Sequence, residues 1–272
     1  MRVFCILSDD RAFRSKSPAM HSSVLKHVGI HGTYVPFCVK PEDLQQAISG
    51  LKALNIAGAN VTVPYKEQII PYLDFLSEEA ESLRAVNTIV PKDSALVGYN
   101  TDAMGFIDAL NSSDFSVTGK SVLLVGTGGA ARAVAYALTG QGAKFIRVAG
   151  RDVGRTEKIA RDFGIEPIVI ASLPGGTTNV DLLVNATSVS SPLDSHEMAD
   201  LIGAMRLIDC ELVCDLNYGR KDNVWYTLAD RSSSRFMDGL AMLAHQARRS
   251  FMLWTGLDVP VHEFEAPLME VP

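Results

Sequence analysis

The sequence predicts an α/β protein of two domains, an N-terminal α/β domain followed by a doubly wound parallel sheet. Three observations carry this. Apolar strand-like runs alternate with helical patterns along all 272 residues, with no internal repeat and no low-complexity run. The alternation pauses at NSSDFSVTGK (111–120), a polar, serine-rich stretch that reads as a linker. It restarts with SVLLVG, a continuous apolar run of the kind found in strands buried on both faces.

In the first half, strands are expected at Val3–Leu7, Thr33–Val39, Ala59–Val63, Ala85–Val90 and Leu96–Tyr99. Pro18 suits the first turn of a helix. A second helix runs from Pro41 to Leu54, with Glu42 and Asp43 in its first turn, where carboxylates complement the helix dipole. EQIIPYLDFL (67–76) also reads as helical, and a short helix over Asp102–Leu110 leads into the linker. In the second half, KFIRVAG, IVI, VDLLVNAT and LVCDLNY follow SVLLVG as strands between helices. The last long pattern, DGLAMLAHQARRSFMLWTG (238–256), is a helix.

The chain is 47% hydrophobic and 21% charged, enough to fill a core. Its net charge of -6 argues against a nucleic-acid partner, which needs a basic surface. No run approaches the roughly 18 apolar residues that span a bilayer. MRVFCILSDD is too short an apolar run for a signal peptide, so no membrane partner and a cytoplasmic location are expected. Cys5, Cys38, Cys210 and Cys214 form no CxxC pair and read as buried, reduced thiols. His21, His27, His31, His196, His245 and His262 lack metal-ligand spacing, so no metal is expected.

Two segments carry chemistry. Gly126-Thr-Gly128-Gly129-Ala130-Ala131 follows a strand and opens a helix, the context of a Rossmann dinucleotide site. Gly126 permits the tight turn, Gly128 lets a pyrophosphate approach, and Ala131 allows close helix packing. The helix N-terminus supplies free N–H groups. At the end of the next strand stand Arg151 and Asp152, with Arg155 one turn on. The arginines suit the 2′-phosphate of NADP and the aspartate suits the ribose of NAD, so NADP is expected with NAD possible. The other segment is NVTVPYK (60–66), where Lys66 reads either as a solvated charge or as a proton carrier.

Together these segments resemble shikimate dehydrogenases, including the quinate/shikimate branch, over nearly the whole chain. The carrying motifs are SKSPAMH (15–21), NVTVPYK, AVNT (85–88), GYNTD (98–102), GTGGAAR (126–132), NATS (185–188), DLNY (215–218) and GLAMLAHQA (239–247) with Trp254-Thr255-Gly256. The resemblance implies reversible NADP-linked reduction of 3-dehydroshikimate to shikimate, by a monomer or homodimer acting on a small molecule. It implies a substrate domain over 1–101, completed by 238–272, and a Rossmann domain over 102–237. It makes Lys66 the general acid/base and Asp102 its partner. Ser15 and Ser17, which from their own residues could equally cap a helix, would bind the substrate carboxylate. Asn60, Thr62, Asn87, Thr101, Tyr218 and Gln246 would surround the ring. Gly126, Gly128, Gly129, Ala130, Arg151, Asp152, Arg155, Thr187, Gly239 and Met242 would hold the cofactor.

The chain departs from the family pattern in places. Asp9-Asp10-Arg11-Ala-Phe-Arg14 replaces a glycine-, proline- and histidine-bearing loop, and Arg11 or Arg14 either joins the carboxylate site or is solvated. Ser190-Ser191 replaces Gly-Met after NATS, Arg220 and Asn223 replace a proline and a threonine, and Asp152 stands where threonine is common. These changes suggest a paralogue. The alternatives are an NAD-preferring dehydrogenase of quinate or an aminated analogue, a methylenetetrahydrofolate dehydrogenase on a similar plan, and a non-catalytic sensor of shikimate or quinate.

Overall fold

The structure, a computed structural model, describes residues 1–173 and 176–270. It divides into two compact units, Met1–Gly105 with the segment from Ala244 onward, and Phe106–Leu243.

The first unit is built on β1 (Arg2–Ser8), β2 (Gly32–Cys38), β3 (Gly58–Val61), β4 (Phe75–Leu76), β5 (Thr88–Lys92) and β6 (Ala95–Tyr99). They form one six-stranded sheet in the order β2-β1-β3-β5-β6-β4. β5 runs antiparallel to β3 and β6, and the other pairs are parallel. The helices are α1 (Ser17–His27), α2 (Leu44–Ala53), α3 (Glu78–Leu83) and the first residues of α4 (Asp102–Ser112). Cys5, Leu7, Ile48, Val61, Tyr65, Ile69 and Val86 are among the residues of its apolar core.

The second unit contains β7 (Ser121–Val125), α5 (Gly129–Gly140), β8 (Phe145–Gly150), α6 (Val153–Phe163), β9 (Glu166–Val169), β10 (Thr177–Asn179), β11 (Leu182–Asn185), α7 (His196–Ala204), β12 (Arg206–Ile208), β13 (Leu212–Asp215), α8 (Val224–Arg231) and β14 (Arg235–Met237). Six strands pair in the order β14-β13-β11-β7-β8-β9, and every pair is parallel. This is the Rossmann order, with the direction of winding reversing between β7 and β11. β7 is buried beyond its first residue, which is why SVLLVG reads as an unbroken apolar run, and β11 and β13 are buried along their whole length, including their polar ends Asn185 and Asp215. The chain closes with α9 (Gly239–Thr255) and α10 (His262–Glu270).

Several expectations need correction. Residues 67–76 are not a helix: they form a 3-10 turn at Ile70–Tyr72 and then β4. Pro71 has no N–H to continue a helical ladder, and the chain is drawn to the sheet edge instead. The strand expected at Ala85–Val90 is observed at Thr88–Lys92. Residues 111–120 are not a free linker: Phe115 and Val117 are buried, and the division between units falls inside α4. Cys38 is exposed, because it ends β2 at the sheet edge, while Cys5, Cys210 and Cys214 are buried. Among the described residues no cluster could hold a metal ion, and no helix is long and apolar enough to cross a membrane.

Candidate active site

Within the first unit, Lys66 and Asp102 meet. Beyond β3 the chain turns through a cis Val63–Pro64 bond. The Lys66 carbonyl then accepts the Val86 N–H at 2.8 Å, which pins the backbone beside β5. Lys66 Nζ donates to Asp102 Oδ2 at 2.7 Å, and their side chains are 20% and 10% exposed. Asp102 opens α4, where its negative charge complements the helix dipole. Its N–H is taken by Asn100 Oδ1 at 3.0 Å. Asn87 Nδ2 donates to its other oxygen, Oδ1, at 2.8 Å. The carboxylate is therefore held on both sides, by a cation and by an amide.

Asn87 is itself oriented. Its Oδ1 accepts the Thr101 backbone N–H at 2.8 Å, so Nδ2 must face Asp102 and Thr101 Oγ1, the latter at 2.9 Å. Gln246 Oε1, on α9, lies 3.4 Å from both Asn87 Nδ2 and Thr101 Oγ1. Gly105 permits this approach: a Cβ there would stand 2.8 Å from the Gln246 Cα. Asn60 accepts from the Tyr34 hydroxyl at 2.8 Å and shares its Nδ2 among Asn87 O, Thr88 Oγ1 and Ser250 Oγ at 3.0 to 3.2 Å. Thr62 is half-buried beside this cluster in sequence.

Ser15 Oγ accepts the Ser17 N–H at 3.1 Å, and Ser17 is buried. The Ser15 hydroxyl thus has a local partner at the start of α1. Arg11 and Arg14 do not supply a free cation: Arg11 pairs with Asp9 at 2.6 Å and Arg14 with Asp10 at 3.0 Å.

The second unit carries the glycine turn. Gly126 has φ +126°, and a Cβ there would lie 2.8 Å from the Ala186 carbonyl, so only glycine fits. Gly128 is the N-cap of α5 and offers no side-chain cap, leaving the first N–H groups of the helix to a ligand. A Cβ at Gly128 or Gly129 would meet nothing within 4 Å, so the space above the turn is open. A cavity of about 330 Å³ is bounded by Gly126, Gly128, Arg151, Asp152, Arg155 and Thr187. These features fit a dinucleotide.

Asp152 is spent on its own helix. Its Oδ1 caps α6 by accepting the Arg155 N–H at 3.0 Å, and Oδ2 lies 3.5 Å from Arg155 Nε. Arg151 is exposed and makes no hydrogen bond or ion pair among the described residues. Thr187 Oγ1 donates to Asn185 Oδ1 at 2.7 Å, which shapes the loop after β11. Gly239 packs against the Leu216 carbonyl, Met242 is buried, and burial pushes the Tyr218 hydroxyl above its ordinary value.

Sequence reasoning missed five polar anchors. Tyr34, Thr88 and Ser250 brace the first unit's cluster. In the second unit, the fully buried Asp215 accepts from Asn185 Nδ2 and Asn223 Nδ2, each at 2.7 Å. Asn223, one of the departures, thus ties the loop after β13 to Asp215 and also caps α8. Ser250 had one legible signal, its position a helical turn beyond Gln246 on the same face.

Comparisons with known proteins follow the same division. The family models that match describe a shikimate dehydrogenase substrate binding domain over residues 11–89, a shikimate / quinate 5-dehydrogenase over 109–221, and a shikimate 5′-dehydrogenase C-terminal domain over 239–267. The chain is 41% identical to a shikimate dehydrogenase (NADP(+)) of Desulforamulus reducens, over 91% of this chain and 88% of that protein. Among solved structures it is similar to shikimate 5-dehydrogenase from Thermus thermophilus in complex with NADP(H) and shikimate, with TM-score 0.87, 32% identity and 99% coverage of both chains. It is also similar to shikimate 5-dehydrogenase from Listeria monocytogenes in complex with shikimate and NAD, with TM-score 0.81 and 26% identity, covering 98% of this chain and 96% of the other.

Proposed function

The chain belongs to the shikimate dehydrogenase family, and we propose that it catalyses the reversible NADP-dependent reduction of 3-dehydroshikimate to shikimate. The observation that carries this reading is the Lys66–Asp102 pair, a mostly buried ammonium whose counter-ion is held from behind by Asn87. Around it stand hydroxyl and amide groups, which suit a ring rich in hydroxyls and reject analogues that would leave them unpaired.

Lys66 passes a proton to the carbonyl oxygen as negative charge builds there, and takes it back in the oxidative direction. Asp102 keeps the ammonium aimed and contacts a ring hydroxyl. Ser15 and Ser17 receive the substrate carboxylate, while Asn60, Thr62, Asn87, Thr101 and Gln246 line the ring. Bound NADPH supplies the hydride. Gly126, Gly128, Gly129 and Ala130 cradle its pyrophosphate, and Thr187 lies along the same cavity. The roles of Tyr218, Gly239 and Met242 rest on the resemblance alone.

Two features favour NADP over NAD. Asp152, which would repel a 2′-phosphate, is turned onto the α6 N-terminus and offset by Arg155. Arg151 is left with its guanidinium unengaged among the described residues. The test is spectrophotometric. Protein with shikimate and NADP should produce reduced nicotinamide, and none should appear without shikimate. Quinate and NAD run alongside address the second reading, an NAD-preferring quinate enzyme. Shikimate binding by calorimetry, with no reduced cofactor from any combination, would refute catalysis and indicate a sensor.

A further inference from the structure

We propose that Ser250 is a positioning residue for this reaction, acting through Thr101 and Asn87 to keep Asp102 on Lys66. The proposal rests on the dehydrogenase reading above. Ser250 lies on α9, is fully buried, and touches neither Lys66 nor Asp102. Its Oγ nevertheless has four polar neighbours: Gln246 O at 3.0 Å, Thr88 Oγ1 at 2.7 Å, Thr101 Oγ1 at 3.1 Å and Asn60 Nδ2 at 3.2 Å. A helix serine that merely folds back onto the preceding turn needs only the first. The other three come from β3, β5 and the residue before α4.

The directions of these bonds follow from what each group can do. A hydroxyl has one hydrogen and two lone pairs. Asn60 Nδ2 can only donate and the Gln246 carbonyl can only accept. Thr88 Oγ1, the nearest neighbour at 2.7 Å, shares one hydrogen with Ser250, and either hydroxyl can donate it. Thr88 also reaches Asn87 Oδ1, 2.9 Å away, as a donor. Asn87 Oδ1, with two lone pairs, also accepts the Thr101 N–H, a backbone donor that cannot reverse. That choice points Asn87 Nδ2 at Asp102 Oδ1. Ser250 thus closes a ring of buried polar groups around Asn87, and the dyad stands at its edge.

Without the Ser250 hydroxyl, Thr88 Oγ1 loses its nearest neighbour and shifts against Asn87 Oδ1. Thr101 Oγ1 loses a neighbour and moves toward Asn87 Oδ1, 3.2 Å away. The amide of Asn87 then loosens from Asp102, and the loss falls on the chemical step more than on cofactor binding.

The experiment compares Ser250→Ala with Ser49→Ala. Ser49 makes the same backward bond, to the Gln45 carbonyl at 2.9 Å, on the exposed face of α2. Ser250→Ala should lower kcat for shikimate oxidation about 10- to 100-fold, the scale of a small misplacement of catalytic groups. The KM for NADP should stay unchanged, and Ser49→Ala should match the parent. Thr88→Val combined with Ser250→Ala should lose no more than the larger single effect, because the two share one bond. Independently, the side-chain amide NMR signals of Asn60 and Asn87 in the unliganded protein should shift in Ser250→Ala and not in Ser49→Ala. Unaltered kcat, unmoved Asn87 signals, or additive single effects would each overturn the proposal. An inactive parent protein would refute the dehydrogenase reading; the amide signals, read without substrate or cofactor, decide whether Ser250 holds Asn87 in either case.

Discussion

His21 stacks face to face on Tyr34, with ring centroids 4.5 Å apart and planes 9° from parallel. Trp254, Phe251 and Phe264 enclose the imidazole, and neither ring nitrogen has a hydrogen-bond partner among the described residues. Burial in this apolar cage draws the His21 pKa down from 6.5 to about 3.

Acid stability should follow from that cage. Above pH 6.5 the imidazole is neutral whether the chain is folded or not, and it adds no pH dependence. Between pH 6.5 and about 3 only the unfolded chain takes up the proton, so stability falls as pH falls. At about 1.36 kcal/mol per pH unit, the loss across that interval is on the order of 5 kcal/mol. His21→Phe keeps a ring in the stack and removes the titration. Urea denaturation at a series of pH values should show a flatter profile for the variant; identical slopes would contradict the assignment.

Lys66→Met retains much of the side-chain volume and removes the proton. It should lower kcat by about 10²- to 10⁴-fold, the usual contribution of a general acid or base. Shikimate affinity, measured by calorimetry, should change far less, because the loss lies in the transition state. Equal losses in binding and turnover would remove Lys66 from the chemistry.

Arg151→Ala should weaken NADP binding and spare NAD, as steady-state KM values for the two cofactors will report. Asp152→Ser should leave that preference unchanged and preserve the α6 cap, since serine also caps. Asp152→Ala, which loses the bond to the Arg155 N–H, should cost about 1 kcal/mol in thermal denaturation. A jump in NADP affinity in Asp152→Ser would mean that the carboxylate does face the cofactor.

Gly105→Ala tests the close approach of α4 and α9. The new methyl would press on the Gln246 N and Cα, both at 2.8 Å. Overpacking of this kind costs about 1–3 kcal/mol. The melting temperature should drop and shikimate binding weaken together, since Gln246 is displaced; a variant as stable and active as the parent would show that the helices separate freely.

The glycine turn was legible because its signals are local. A strand, a turn that demands φ +126° at Gly126 and an uncapped helix start lie within a dozen residues and leave a pattern in the sequence. The helix expected after Lys66 failed for a related reason. Its apolar residues suit either a helix or a sheet edge, and Pro71 together with pairing to β6 decided for the edge. The expected free linker failed because Phe115 and Val117 are isolated in sequence yet buried in the fold.

By itself, the sequence determined the two-part α/β plan, the nucleotide turn and the candidate proton carrier, since each is written in neighbouring residues through periodicity, turn chemistry and spacing. Only the tertiary structure decided which polar groups meet. Asn60 and Ser250 are 190 positions apart and hydrogen-bonded, while Asp152 and Arg155 are three apart and satisfy each other rather than an outside charge. Hydrogen bonds are short and directional, so their partners are selected by how strands and helices pack, and composition alone leaves that choice open.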